Sequence, residues 1–274
     1  MAAPAAAETV AAYIEALTDM RAPATIRRRV AAIGRIHRLL ELDGPSGTQT
    51  VVLAMRRMYR KRGRRQRQPK GLTAALRRRL LDHCGDDLRG LRDRVLIALG
   101  YDSLCRRSEL VAIRVEDITE LEDGSGAVLI RRSKTDQTGQ GRYGFASAET
   151  LAAIARWQEA ADLEEGPLFR VIRGARPAAT GLHSYSVTRI IKQTAEKAGL
   201  GPAIVSELSG HSMRIGAAVD MAEHGIDLIP IMQAGGWKSA EMVLRYTEQI
   251  DIRRSGMARL HALQGCGSGK WTNF

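Results

Sequence analysis

His211 and Arg214 stand three residues apart in the stretch GHSMRIGAAVDMAEHGIDLIPIMQAGGWKSAEMVLRY, Gly210 to Tyr246. On a helix that spacing sends both side chains out on one face, where an imidazole and a guanidinium can converge on one phosphate oxygen. Trp237 and Tyr246 follow beyond two further short helical patterns. An indole N–H can only donate, and a tyrosine hydroxyl in this company could attack phosphorus. Each type also has a plainer use: a helical His is commonly structural, a Trp commonly core, and five other tyrosines compete with Tyr246. A second group lies upstream in LCRRSELVAIRVEDI, Leu104 to Ile118, where Arg106 and Glu109 are again three apart on a short helical pattern. Such a pair is either a surface ion pair worth under ~1 kcal/mol or a carboxylate holding an arginine fork for bidentate contact with phosphate. Lys134, at the tip of a predicted hairpin, is by itself an ordinary turn lysine.

The longer stretch resembles the second conserved box of the tyrosine recombinases, the phage integrase family. His211-Ser212, Arg214, Gly216-Ala217-Ala218, Asp220-Met221-Ala222 and the run Ile231 to Trp237 stand in the corresponding order. R-x-S-E-L resembles the first box of that family and singles out Arg106 over its neighbour Arg107. The resemblance spans roughly Glu8 to Leu263 and is strongest in the two boxes. It implies a mainly α catalytic fold with a small antiparallel β-sheet, preceded by a short α-helical core-binding domain. It also implies a metal-independent, site-specific recombinase with no cofactor, in which Arg106, Glu109, Lys134, His211, Arg214 and Trp237 serve the nucleophile Tyr246. Lys134, directly after a strand in R-S-K-T, inherits the role of reaching the DNA beside the cleaved bond. The implied intermediate is a 3′-phosphotyrosine, and exchange through a Holliday junction joins two duplexes. The implied partners are a double-stranded DNA recombination site and further copies of the chain, a dimer on one site and a tetramer in synapsis. One departure is that the sequence has room for only three helices ahead of the catalytic domain, so the family's first helices are expected to be missing. A type IB topoisomerase-like or telomere-resolvase-like strand transferase would use the same chemistry, and a DNA-binding regulator would carry the set idle.

These residues need a scaffold, and the rest of the chain supplies it with an unusual charge distribution. Of 274 residues, 42 are Lys or Arg and 30 Asp or Glu, a formal net of +12. Between Arg21 and Arg79 stand 18 basic residues against Glu41 and Asp43, a net of +16, so the remainder is net −4. A charge run is often only a solvated face, but here the excess covers two helices and a linker together, which points to DNA. The expected DNA contacts are Arg27, Arg28, Arg35, Arg56, Arg57, Arg60, Lys61, Arg64, Arg65 and Arg67. No apolar run approaches the ~20 residues of a membrane span, and the Ala-rich start lacks a signal-peptide pattern, so a cytoplasmic protein with no membrane partner is expected; the resemblance further implies a nucleoid-associated protein of phage, plasmid or bacterial origin. Cys84, Cys105 and Cys266 form no C-x-x-C pair, and the six His do not cluster with other ligand types, so neither disulfide nor metal site is expected.

Apolar periodicity predicts helices over 8–20, 23–40 and 48–60, the last with Val51, Val52, Met55 and Tyr59 inward. A break at Gly63 and Pro69 marks a linker. The expected divisions are a partial DNA-binding domain over 1–62, a basic linker over 63–71, a catalytic domain over 72–264 and a tail over 265–274. Within the catalytic part, helices are predicted over 72–83, 87–101, 148–161 and 186–198, with β segments between 118 and 145. Residues 166–181 and 199–210 read as loops, and 252–263 as a last amphipathic piece.

Overall fold

Val10, Ile14 and Leu17 recur at helical spacing, and in the computed structural model the chain around them forms α1 (Ala7–Thr18) with these residues buried. The structure describes residues 4–64, 68–131, 141–248 and 256–264. They divide into two units, Met1–Gln68 and Pro69–Phe274.

In the first unit α1 packs with α2 (Pro23–Leu39) and α3 (Gln49–Arg62), joined by a 3₁₀ turn at Pro45–Gly47. Pro23 at the first turn of α2 presets its backbone for the helix. The core is Val10, Ala11, Ile14, Leu17, Ile26, Val30, Val51, Ala54 and Met58. The inward face of α3 is thus rotated from the expected one: Ala54 and Met58 are buried, whereas Val52, Met55 and Tyr59 are half-buried. His37 closes one end of the core, its Nδ1 2.8 Å from the Ile33 carbonyl and its Nε2 2.9 Å from the Ala5 amide. An amide must donate, so Nε2 accepts and Nδ1 carries the proton.

The second unit runs α4 (Ala74–Asp82), α5 (Leu88–Asp102), α6 (Arg107–Leu110), β1 (Ile118–Glu120), β2 (Gly126–Ile130), β3 (Arg142–Ala146) and α7 (Ala148–Ala161). It continues with β4 (Arg170–Arg173), β5 (Arg176–Gly181), α8 (Ser184–Lys197), α9 (Pro202–Glu207), α10 (Ser212–Glu223), α11 (Leu228–Gly235), α12 (Ala240–Thr247) and α13 (Gly256–Leu263). Asp87 caps α5 by accepting from the Gly90 amide at 2.8 Å, and the helix is buried on most sides, as its all-round apolar pattern requires. β1, β2 and β3 form an antiparallel sheet in that order, with Ile118 opposite Val128 and Ile130 opposite Arg142. The mainly α architecture with small antiparallel sheets is the expected class.

Two expected loops contain regular structure. Residues 166–181 hold the antiparallel pair β4–β5, turned at Gly174-Ala175 with Gly174 left-handed. Pro177 hid the second strand from the reading, yet a proline is tolerated in a two-stranded ribbon because both strands are edges. Residues 199–210 hold α9, which starts on Pro202 and buries Val205. Six residues are too few to show a helical period.

One crossing fixes α10. The Leu72 amide donates to the Ser212 carbonyl at 2.7 Å. Where the two backbones pass, a Cβ on Gly216 would stand 1.9 Å from the Leu72 oxygen, so no side chain fits there.

Candidate active site

Arg214 is the centre of the site because α10 carries its guanidinium into the interior, where the residue is only 2% exposed. Its Nη1 donates to the Leu104 carbonyl. That carbonyl is aimed by an uncommon backbone: Leu104 has φ +51°, a left-handed conformation that costs a branched residue about 1–3 kcal/mol and persists where the surroundings enforce it. The guanidinium carbon lies 4.0 Å from the centre of the Trp237 ring. Nη2 is buried and has no hydrogen-bond partner among the described residues. Burial, then the neighbouring charge of Arg106, lowers the Arg214 pKa to about 10, which still leaves it charged at neutral pH.

Trp237 reaches this position through the end of α11. Gly236 closes the helix in the left-handed region, φ +61°, and the Trp237 amide turns back to the Met232 carbonyl at 2.9 Å. Its indole then packs edge-on against Tyr246 of α12, ring centres 5.9 Å apart. Leu104, Ala217, Ala218, Ile231 and Val243 form the apolar seat beneath both rings.

On the other side, Arg106 immediately precedes α6 and Glu109 lies in its only turn. The Arg106 Nη1 meets Glu109 Oε1 at 2.6 Å, and the Arg106 backbone amide donates to Oε2 at 3.0 Å. Glu109 is 4% exposed, so this is an interior brace and not a solvated pair. Nη2 of Arg142, from β3, lies 3.7 Å from the same Oε2.

His211 immediately precedes α10 at the solvent edge, its amide donating to Ser209 Oγ at 3.1 Å. Partial burial of the ring, then the charges of Arg107, Arg214 and Arg106, hold its pKa below the ordinary 6.5, so the imidazole is neutral at pH 7 and able to take a proton. Tyr246 is pushed the other way, upward by burial, with Arg214, Arg106 and Arg245 opposing. The charges of Arg214 and Arg106 thus favour a developing tyrosinate. A cluster of guanidinium groups, the buried Arg214 Nη2 without an acceptor among the described residues, a largely neutral imidazole and a half-buried tyrosine can bind a phosphodiester and assist in-line attack on it.

Residues 70–252 match the Phage integrase family. The chain belongs to that family. As a phage integrase family member it is 36% identical over 260 residues to the integrase/recombinase XerD homolog of Selenomonas ruminantium, covering 91% of this chain and 75% of that protein. It is 30% identical over 253 residues to recombinase Cre of Escherichia phage P1, covering 86% and 74% respectively. Among solved structures, the XerH site-specific recombinase bound to palindromic difH substrate superposes with TM-score 0.66 at 15% identity, over 95% of this chain and 70% of that one. A lambda integrase(75–356) dimer bound to a COC′ core site superposes with TM-score 0.62 at 18% identity, over 89% and 80%. The family fold is thus shared at low identity.

In this integrase family member, Arg106, Glu109, His211, Arg214, Trp237 and Tyr246 come together from α6, α10, α11 and α12. Lys134 lies outside the described residues, as do Arg65 and Arg67 of the linker. Of the other expected DNA contacts, Arg27, Arg28, Arg35, Arg56, Arg60 and Arg64 are exposed. Arg57 and Lys61 are exposed too, but each is paired with a carboxylate, Glu15 of α1 at 2.7 Å and Asp19 just past its end at 2.8 Å. Sequence reasoning missed Arg142 and Leu104. Neither carried a signal in the sequence: Arg142 is a charged residue at the start of a strand, and its partner position, Ile130, is known only from the register.

Proposed function

We propose that this integrase family member is a site-specific DNA recombinase that cleaves and rejoins duplex DNA through a 3′-phosphotyrosine on Tyr246. The observation that carries the reading is the buried Nη2 of Arg214, a charged donor without an acceptor among the described residues, in a guanidinium whose charge, with that of Arg106, acts on Tyr246. An unsatisfied interior guanidinium nitrogen is costly, and a phosphate oxygen satisfies it.

Arg106 and Arg214 bind the non-bridging oxygens and spread their charge as phosphorus becomes five-coordinate. His211 accepts the proton from Tyr246, whose Oη forms the new bond to phosphorus as the bond to the 5′-oxygen breaks. Lys134 delivers the proton that the departing 5′-oxygen takes up. The phosphotyrosine retains the bond energy, so a 5′-hydroxyl from a partner strand reverses the step without nucleotide or metal. Two such rounds through a Holliday junction recombine two duplexes, in a dimer on each site and a tetramer in synapsis, within the cytoplasm. Identity to recombinases over most of the chain favours this over a relaxing or regulatory protein.

The test is Tyr246→Phe against wild type on a DNA library. Wild type yields an SDS-resistant complex whose DNA can be sequenced to reveal the site; Tyr246→Phe yields none and binds DNA with nearly unchanged affinity. A persisting adduct in the Phe variant assigns the nucleophile elsewhere. Two-site recombination without net plasmid relaxation separates recombinase from topoisomerase.

A further inference from the structure

Arg142 opens β3, and its side chain leaves the sheet for the site. Nη1 donates to the Ala234 carbonyl at 3.0 Å, and Nη2 to the Ser103 carbonyl at 3.2 Å. Nη2 also lies 3.7 Å from Glu109 Oε2 and 4.0 Å from Cys105 Sγ. The side chain is 17% exposed. These acceptors belong to three separate segments: the turn entering α6, α6 itself and the last turn of α11. That last turn leads directly into Gly236 and Trp237. The left-handed glycine is what lets the arginine pass, since a Cβ at position 236 would stand 2.9 Å from its Cδ.

A guanidinium in this place is expensive. Glu109 is shared with Arg106, and Nε of Arg142 is buried with no partner among the described residues. An apolar residue would fill the space with less desolvation. What the arginine adds is rigid geometry, because its planar fork can brace two carbonyls and a carboxylate at once, which a single flexible ammonium cannot.

We infer that Arg142 is a positioning residue for the cleavage site: by tying Glu109 to the α6 turn and to the end of α11, it sets Arg106 and Trp237 at the separation one phosphate requires. It does not touch the DNA, since its terminal donors are directed at protein acceptors. The inference rests on the recombinase reading above.

The experiment compares full-length wild type, Arg142→Met and Arg142→Lys in two measurements. The first uses the DNA recovered covalently from wild type as substrate and follows single-turnover adduct formation beside binding affinity. Expected for Arg142→Met is cleavage slowed about 100-fold, the scale of a 1 Å misplacement, with affinity within twofold, and for Arg142→Lys a partial recovery. The second needs no DNA: in 5-fluorotryptophan-labelled protein the three indoles give separate ¹⁹F lines, Trp237 being assigned from Trp237→Phe. Arg142→Met is expected to broaden or split the Trp237 line and leave that of Trp157 sharp. Cleavage within twofold of wild type, full recovery by lysine, or a sharp Trp237 line overturns the inference. Should Arg142→Met unfold, the Trp237 line of Arg142→Lys decides by the same criterion. If wild type forms no adduct on any DNA, the recombinase reading fails, while the ¹⁹F lines still decide whether Arg142 positions Trp237.

Discussion

The two units use arginine in opposite ways. In the first, Arg27, Arg28, Arg35, Arg56 and Arg60 stand in solvent on helices whose cores are apolar. In the second, Arg106, Arg142 and Arg214 turn inward around one carboxylate, Glu109. Exposed arginines keep their hydration, cost the fold little, and contribute affinity through counterion release. Inward ones lose hydration, must be held by carbonyls and a carboxylate, and are in place before substrate arrives. On the proposed reading, the charge excess of the first unit serves binding, and the inward arginines of the second serve rate.

The sharpest way to break this comparison is Arg214→Lys. An ammonium cannot donate to Leu104 and a phosphate oxygen in the same plane, so adduct formation should fall about 10²- to 10³-fold with little change in DNA affinity, measured by single-turnover cleavage beside a binding isotherm. Glu109→Ala should come next. It leaves Arg106 and Arg142 without their shared counter-charge, which should cost about 3 kcal/mol of stability, at the low end for a broken buried pair because Arg106 is 20% exposed. Urea unfolding at pH 7 would read it, and an unchanged midpoint would mean the pair is only a surface contact.

A smaller effect is graded by pH. Because burial and three arginines hold His211 below 6.5, its imidazole is largely neutral at pH 7 and available as the proposed base. As pH falls through the depressed pKa, the imidazole gains its proton and cleavage should drop tenfold per unit, with a midpoint below 6.5. The same sign holds for stability: the unfolded imidazole binds its proton first, so this contribution is present above 6.5 and declines as pH falls. His211→Gln should abolish that limb of the profile. Smallest is the first unit. Replacing Arg27, Arg28 and Arg35 by Ala should reduce the salt slope of binding by about 0.9 per lost phosphate contact while the cleavage rate of bound DNA stays constant. Arg57→Ala should change the slope less than Arg28→Ala, since Arg57 already has Glu15 as its partner.

Much of this was legible in the residue order. Most helices of both units follow from apolar periodicity, and six of the candidate site residues lie in the two motif stretches. Most of what remained hidden depends on contacts between distant segments. Arg142 reads as an ordinary strand-opening residue until β3 is set beside α6 and α11. Leu104 gives no sign of its left-handed backbone, because leucine is not a residue that favours it and only Arg214, 110 positions away, explains it. The β4–β5 hairpin was masked by a proline whose cost depends on whether a strand is an edge, and α9 is shorter than the period that would reveal it.

The crossing of Gly216 over Leu72 has a mechanical consequence. The same short segment holds α10 on either side of that point: the Leu72 amide donates to the Ser212 carbonyl at 2.7 Å and the Ala74 amide to Asp220 Oδ2 at 2.6 Å. Ser212, Gly216 and Asp220 stand four residues apart, about one turn each. Residues 72–74 thus clamp the helix at three successive turns of one face, as a rail is pinned to its sleepers, and His211 and Arg214 sit at the pinned end.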